Sequence, residues 1–201
     1  MRLGRTLKVP FAVLPVAYLL RVLRLPVRGW QPSDESQGVG PLTRRRYWLD
    51  VEGAQLTPEE TIRQLLQGLP AHLPPLLARF RRVDQAERPT RVGDRFTVLM
   101  FGLRRGRVEV AGIGERSFRL QTLRQHTESG WLEFRAVPLD GGRVRLETES
   151  CMRSSSWFDR AAALLGVGIL QRLTWEAGLR RTLQTSGGRK VHHGTSTLEW
   201  P

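Results

Sequence analysis

Residues 132–150 read LEFRAVPLDGGRVRLETES, and this stretch decides the fold. Apolar and polar side chains alternate on both sides of Asp140-Gly141-Gly142, and the two glycines readily adopt the positive φ that a tight turn requires. The pattern therefore predicts a β-hairpin with one buried face and one wet face. Glu147 and Glu149 are expected on the wet face as solvated partners of neighbouring arginines. The inward-facing residues are expected to be Leu132, Phe134, Ala136, Val144, Leu146, Thr148 and Ser150.

Further strands are predicted towards the N-terminus, from about residue 95 onwards. Residues 96–103 are apolar on both faces, which indicates a central or covered strand. Alternation on one side in consecutive strands predicts an antiparallel sheet. Two further strands are predicted, with inward faces formed by Val108, Val110 and Gly112 and by Phe118, Leu120 and Thr122.

A single long helix is predicted after the sheet, from residue 155 to residue 184. Three serines at 154–156 offer N-cap hydroxyls, and Asp159 is well placed in the first turn. Gly166 and Gly168 let the helix bend or approach the sheet closely, or they are incidental. The element order predicts an α+β fold in which a curved antiparallel sheet wraps around this C-terminal helix and leaves an apolar space between them. The helix face expected to pack on the sheet comprises Phe158, Ala161, Ala162, Leu165, Ile169 and Leu173, continued by Trp175, Leu179 and Leu183.

The chain divides into four segments by composition. Residues 1–30 form a basic and apolar N-terminal arm, and residues 31–41 (QPSDESQGVGP) have the composition of a linker. The folded domain is expected at residues 42–185, where Thr57-Pro58-Glu59-Glu60 marks a helix start with a capping box. Residues 186–201 are predicted to be a flexible tail.

The arm contains twelve uncharged, largely apolar residues (9–20) between basic flanks. Twelve residues are too few for a membrane-spanning helix, which needs about 20. Three interpretations stay open: an arm packed on the domain, an interfacial anchor that docks residues 1–28 on a membrane surface, and an exported or wrongly assigned start. A cytoplasmic location is expected, with membrane association as the alternative that the arm leaves open.

The net charge of +13 is carried almost entirely by arginine, since Lys8 and Lys190 are the only lysines. Residues 1–46 hold nine basic residues against Asp34 and Glu35, so more than half of the excess precedes the predicted domain. The strands show no basic stripe interleaved with aromatic residues, so a nucleic-acid partner is not predicted. Cys151 is the only cysteine, and we expect no disulfide, no metal site and no cofactor. Oligomeric state is left open.

A resemblance to a known family rests on residues 121–134, which read QTLRQHTESGWLEF. This stretch resembles the signature GTLPGHPExGEExF of a bacterial and plant family known as domain of unknown function nineteen-ninety. The resemblance implies the helix-grip fold of the START and polyketide-cyclase (SRPBCC) superfamily, with an apolar cavity between sheet and C-terminal helix. It implies no particular activity. The matching positions are Thr122, Leu123, His126, Glu128, Gly130 and Phe134.

His126 and Glu128 are the candidate chemical groups. They alternate at the end of a strand or its turn, so both side chains are expected on one face within hydrogen-bonding reach. An imidazole oriented by a carboxylate is half of a general acid–base pair. The pair has three interpretations: tying down the turn, contacting a bound ligand, or catalysis.

Three functional hypotheses follow. The leading one is a START-like binding module whose cavity holds an apolar or amphipathic small molecule or lipid. The second is an enzyme that acts on a hydrophobic small molecule through His126 and Glu128, and the third is a peripheral membrane protein that docks through residues 1–28. Beside His126, the polar group of the cavity is expected to be Thr148. The apolar ligand-binding residues are expected to be Met100, Phe118, Leu120, Phe134, Leu146 and Leu165.

Overall fold

The computed structural model describes residues 29–102 and 104–201, apart from the side chain of Val167. The predictions made for the arm at residues 1–28 lie outside the described residues. No described helix has both the length and the apolar composition needed to cross a lipid bilayer.

An eight-stranded antiparallel sheet forms the body of the protein, with strand order β2-β3-β4-β5-β6-β7-β1-β8. The strands are β1 (Val39–Glu52), β2 (Ala78–Arg82), β3 (Arg95–Met100), β4 (Arg104–Ile113), β5 (Ser117–Thr122), β6 (Glu128–Leu139), β7 (Arg143–Ser154) and β8 (Arg189–Trp200). The helices are α1 (Pro58–Gln67), α2 (Leu69–His72), α3 (Trp157–Ala162) and α4 (Gly168–Ser186), and a π-turn (Ala163–Val167) joins α3 to α4. This is the predicted α+β helix-grip fold.

The predicted hairpin is confirmed as β6 and β7. Leu132 pairs with Ser150 and Phe134 with Thr148, and the turn glycine Gly141 has a φ of 71°. The inward faces of β5 and β6 meet where the rings of Phe118 and Phe134 stack at 4.8 Å between centroids. The core therefore lies on the concave face, between the sheet and the helices.

The outer face carries a layer of ion pairs. Glu147 accepts from Arg46 at 2.7 Å and from Arg135 at 2.5 Å, while Glu149 is paired with Arg44 and Arg135. The predicted pairing with arginines is confirmed, but Glu147 and Glu149 are buried rather than solvated. The long aliphatic stems of the arginines lie over the carboxylates and exclude water from them.

The C-terminal helix is interrupted, and the face predicted to pack on the sheet is partly wrong. Leu165 and Ile169 are 84% and 67% exposed, whereas α4 buries Leu179 and several small or hydroxyl-bearing residues. A π-turn adds a residue to the helical ladder, and Gly166 within it has a φ of 113°. Phe158 before the π-turn and Leu173 after it are also 51% and 46% exposed, so the helix packs on the sheet through a different side, which includes Thr174 and Leu179.

The segments predicted to be a linker and a flexible tail both pack on the sheet. Ser33 donates its backbone N–H to the carbonyl of Thr122 at 2.9 Å, and β1 begins at Val39. The tail forms β8, which pairs with β1 so that Thr195 lies opposite Tyr47 and Gly194 opposite Trp48. The prediction of a flexible tail is therefore wrong. The tail pairs with the backbone N–H and C=O groups along one edge of β1, and amino-acid composition does not show where such an edge lies.

Substituting Gly194 tests the packing of β8. A Cβ at this position would overlap the indole of Trp48, whereas a Cβ at Gly112, in β4, would meet open space. We expect Gly194→Ala to lower the free energy of unfolding by about 1–3 kcal/mol, the usual cost of overpacking, and Gly112→Ala to change it far less. Urea unfolding followed by circular dichroism measures both. Equal stabilities would show that β8 does not pack on Trp48 in solution.

Candidate functional site

An apolar cavity lies between the concave face of the sheet and the interrupted helix. Its volume is about 90 Å³. Strands β2 to β7 form one wall, and Ala163, Gly168 and Trp175 belong to the helical wall opposite. The apolar residues of the sheet wall are Ala78, Phe80, Val98, Met100, Val108, Leu120, Leu132 and Met152.

Four of the predicted site residues line this cavity: Met100, Leu120, His126 and Glu128. The predicted residues Phe118, Phe134, Leu146 and Thr148 are buried in the adjoining core and are not part of the lining. Phe134 lies 6.0 Å from Trp175, ring to ring, so these aromatic side chains fill the space beside the cavity. Leu165 points to solvent at 84% exposure, and its predicted place in the lining is wrong.

The His126 ring is held by the backbone rather than by the carboxylate of Glu128. Nδ1 lies 3.1 Å from the backbone nitrogen and 3.2 Å from the backbone oxygen of Glu128, so it accepts from the N–H in one tautomer and donates to the carbonyl in the other. A Cβ on residue 106 would overlap the ring, so Gly106 makes room for it. Burial, with a contribution from Arg104, lowers the pKa of His126 to about 4. The imidazole is therefore uncharged near neutral pH and ties the turn after β5 to β6.

The Glu128 carboxylate faces the cavity and is held from the helix side. Gln171 donates to Oε2 at 2.6 Å, and Arg45 lies 3.4 Å from Oε1 and also donates to Gln171 at 3.1 Å. Burial raises the pKa of this carboxyl group, and Arg45 and Gln171 only partly oppose that effect. A carboxyl group in this setting can accept a hydrogen bond from a bound molecule or exchange a proton with it.

A second ion pair closes the same end of the cavity. Arg104 at the start of β4 contacts Asp159 at 2.6 Å, and Asp159 also accepts from the hydroxyl of Ser156 at 2.6 Å. Burial raises the pKa of Asp159, with Ser156 and then Arg104 opposing it. Sequence reasoning identified Asp159 only as a helix-start residue, and it missed Arg45, Arg104 and Gln171. These residues are brought together by the fold from distant parts of the chain, and no local pattern marks them.

Among the described residues, no group of three or more histidine, cysteine, aspartate or glutamate side chains is placed to hold a metal ion.

The curved sheet, the C-terminal helix and the cavity between them define a helix-grip fold of the START-like type. The model of the family described as domain of unknown function (DUF1990) matches residues 60–181, which is more than half of the chain. The chain therefore belongs to the DUF1990 family. A comparison with curated proteins gave no match.

Solved structures support the fold assignment. Norcoclaurine synthase from Thalictrum flavum, in complex with dopamine and hydroxybenzaldehyde, aligns over 82% of this chain and 98% of its own, with 13% identity and a TM-score of 0.52. The two-domain aromatase/cyclase StfQ from the steffimycin biosynthetic pathway aligns over 72% and 51%, with 13% identity and a TM-score of 0.50. A hypothetical protein from Helicobacter pylori aligns over 71% and 86%, with 16% identity and a TM-score of 0.50. At these identities the likeness concerns the fold.

The buried neutral His126 predicts a pH-dependent stability. The folded state keeps the ring unprotonated down to pH about 4, whereas the unfolded chain protonates it near the ordinary histidine pKa of 6.5. The unfolded state therefore binds more protons between these values, and the free energy of unfolding falls as the pH falls through that window. Over the whole window one such histidine accounts for about 3 kcal/mol.

We expect His126→Gln to remove that contribution. Urea unfolding at a series of pH values should show the wild-type advantage over His126→Gln shrinking as the pH drops from 6.5 to 4. His193→Gln, which alters an exposed histidine of β8, is the control and should leave the profile unchanged. Parallel wild-type and His126→Gln profiles would contradict the buried, neutral ring.

Proposed function

We propose that the protein binds an apolar or amphipathic small molecule in the cavity between the sheet and the C-terminal helix. The observation that carries this proposal is a cavity with an apolar wall and a polar end, where Glu128, Gln171 and Arg45 converge. Ligand sites in proteins have this composition: mostly apolar, with a few polar groups that set the orientation.

The polar end favours a ligand with a hydrogen-bond donor. The Glu128 carboxylate has lone pairs beyond those used by Gln171 and Arg45, and it lies in a site where an unmet acceptor is costly. A hydroxyl, phenol or amine group satisfies that acceptor, while the rest of the molecule contacts residues such as Leu120 and Met100. The dopamine complex of norcoclaurine synthase illustrates such a molecule in a protein of the same fold.

The size of the cavity sets a second requirement. A water molecule needs about 10–15 Å³ by this kind of measure, so about 90 Å³ holds a handful of waters or a small organic group. Typical ligand pockets enclose about 300–1,000 Å³. A larger ligand therefore needs the wall at Ala163 and Gly168 to move outward, and the π-turn, where the α-helical hydrogen-bond pattern is interrupted, lies in that wall.

Replacing either of two alanines by phenylalanine tests occupancy of the cavity. Ala163 lines the cavity, whereas Ala161, two residues earlier, is exposed. Native mass spectrometry of freshly purified protein, with its solvent extract identified in parallel, should show an adduct on the wild type and on Ala161→Phe but not on Ala163→Phe. A bare mass for the wild type, or an adduct that survives Ala163→Phe, would contradict the proposal.

Glu128→Gln tests the role of the carboxylate. For a ligand that bears a hydroxyl or amine group, we expect affinity to fall about tenfold to a hundredfold, the value of a hydrogen bond to a charged group. Titration calorimetry with the extracted ligand and with an analogue lacking the polar group measures the difference. The analogue should bind both proteins alike. Equal loss for both molecules would mean that Glu128 supports the fold rather than the ligand.

A second candidate function, proton transfer to the bound molecule, has a specific observation in its favour. The raised pKa of Glu128, caused by burial, brings this carboxyl group closer to neutral pH, while His126 is committed to the turn. Glu128 is thus the better candidate for acid–base chemistry. In that case Glu128→Gln abolishes turnover of the ligand and leaves its binding largely intact.

A further inference from the structure

Large apolar side chains are exposed on both sides of the helix interruption. Trp157, Leu164, Leu165, Ile169 and Leu173 are between 46% and 84% exposed. We call these five residues the helix patch. Leu165, Ile169 and Leu173 are spaced four residues apart, and in α4 this spacing places Ile169 and Leu173 on one stripe.

The local sequence is unusual for a surface helix. Residues 161–171 read AAALLGVGILQ and contain no charged side chain. A solvent-facing helix normally places charged residues at such positions, and scattered apolar residues need no explanation, but a continuous apolar surface marks a binding site. The patch therefore has a partner other than water.

The patch adjoins the helical wall of the cavity in the chain. Ala163 and Gly168, which line the cavity, lie between and beside Leu164, Leu165 and Ile169 in the chain. Leu77 and Phe101 also line the cavity, and the neighbouring Leu76 is 87% exposed.

The charge around the patch is positive. Arg160 and Arg172 flank it in the chain, and Asp159 is buried and paired with Arg104. Glu176, one turn further on, is shared by Arg172 and Arg180. The whole chain has a net charge of +13, and residues 1–28 account for six of its basic residues and none of its acidic residues. An apolar surface with basic surroundings complements an anionic lipid surface.

We propose that the helix patch docks on an anionic lipid bilayer. Leu164, Leu165 and Ile169 enter the boundary between headgroups and acyl chains, Trp157 lies at headgroup depth, and Arg160 and Arg172 face the lipid phosphates. The cavity entrance then faces the bilayer, so an apolar ligand passes between membrane and cavity without crossing water.

A second copy of the chain fits the patch less well. A protein partner seated on these residues would seal the cavity entrance, whereas a bilayer leaves it open to apolar molecules. The patch is also almost wholly aliphatic and offers few groups that could set a specific register with another protein.

Vesicle flotation of the full chain tests the proposal. The double variant Leu165→Ser/Ile169→Ser removes two exposed side chains, which costs the fold little. The control Ile113→Ser/Val137→Ser alters two other partly exposed residues, one at the end of β4 and one near the end of β6, both away from the cavity end of their strands. Vesicles consist of phosphatidylcholine alone or mixed with phosphatidylglycerol.

We expect the wild type and the control to float with the vesicles, more strongly when phosphatidylglycerol is present. Leu165→Ser/Ile169→Ser should bind at least about tenfold more weakly, because two large apolar side chains no longer enter the bilayer. Ala163→Phe, which fills the cavity, should float like the wild type, so that failure of ligand binding and failure of docking are told apart.

Three outcomes would overturn the proposal. Absence of wild-type flotation excludes docking. Equal flotation of Leu165→Ser/Ile169→Ser and wild type assigns membrane binding to residues outside the patch, such as the arm. A wild-type dimer in sedimentation velocity that Leu165→Ser/Ile169→Ser converts to monomer, without flotation of either, identifies a second copy as the partner.

Discussion

The fold depends on one packing constraint: a few helices must cover the concave face of a strongly curved, eight-stranded sheet. Where α4 runs unbroken, Leu179 and Trp175 meet the stacked rings of Phe118 and Phe134, and the space is filled. Where the helix is interrupted at Gly166, the wall includes Ala163 and Gly168, which have a single methyl group and no side chain, respectively. The cavity therefore lies where the helical residues are small and the helix is interrupted.

The polar end of the cavity is costly to the fold. A carboxylate taken out of water loses solvation that one distant guanidinium and one amide only partly replace. The rise in the pKa of Glu128, caused mainly by burial, records that loss. On the outer face the same residue type is handled differently, since Glu147 and Glu149 each have two arginine partners. Glu128 has one arginine and one amide partner instead, and it lines the cavity.

Local sequence information predicted those parts of the fold that local chemistry determines. The turn at residues 140–142, the inward face of β7 and the capping box at Thr57 each depend on residues close in sequence, and each is found as predicted. The strand formed by the tail and the residues around Glu128 depend on contacts between distant segments, which periodicity does not record. His126 lines the cavity, but its partner is the backbone of Glu128, and a sequence pattern cannot distinguish that from the carboxylate. The predicted helix face is wrong on both sides of the π-turn, because apolar periodicity does not show which of two apolar faces of a helix packs on the sheet.

Strand β1 is the element that ties the two ends of the described chain together. It pairs on one side with β7 and on the other with β8, so Trp48 lies between Glu147 and Gly194. During synthesis on the ribosome, β1 emerges long before either neighbour, and both of its edges stay unpaired while the rest of the domain is made. The strand carries three consecutive positive charges, at Arg44, Arg45 and Arg46, and such charges disfavour pairing with another nascent chain. The arginines that later cover Glu147 and Glu149 thus also protect the unfinished sheet from aggregation.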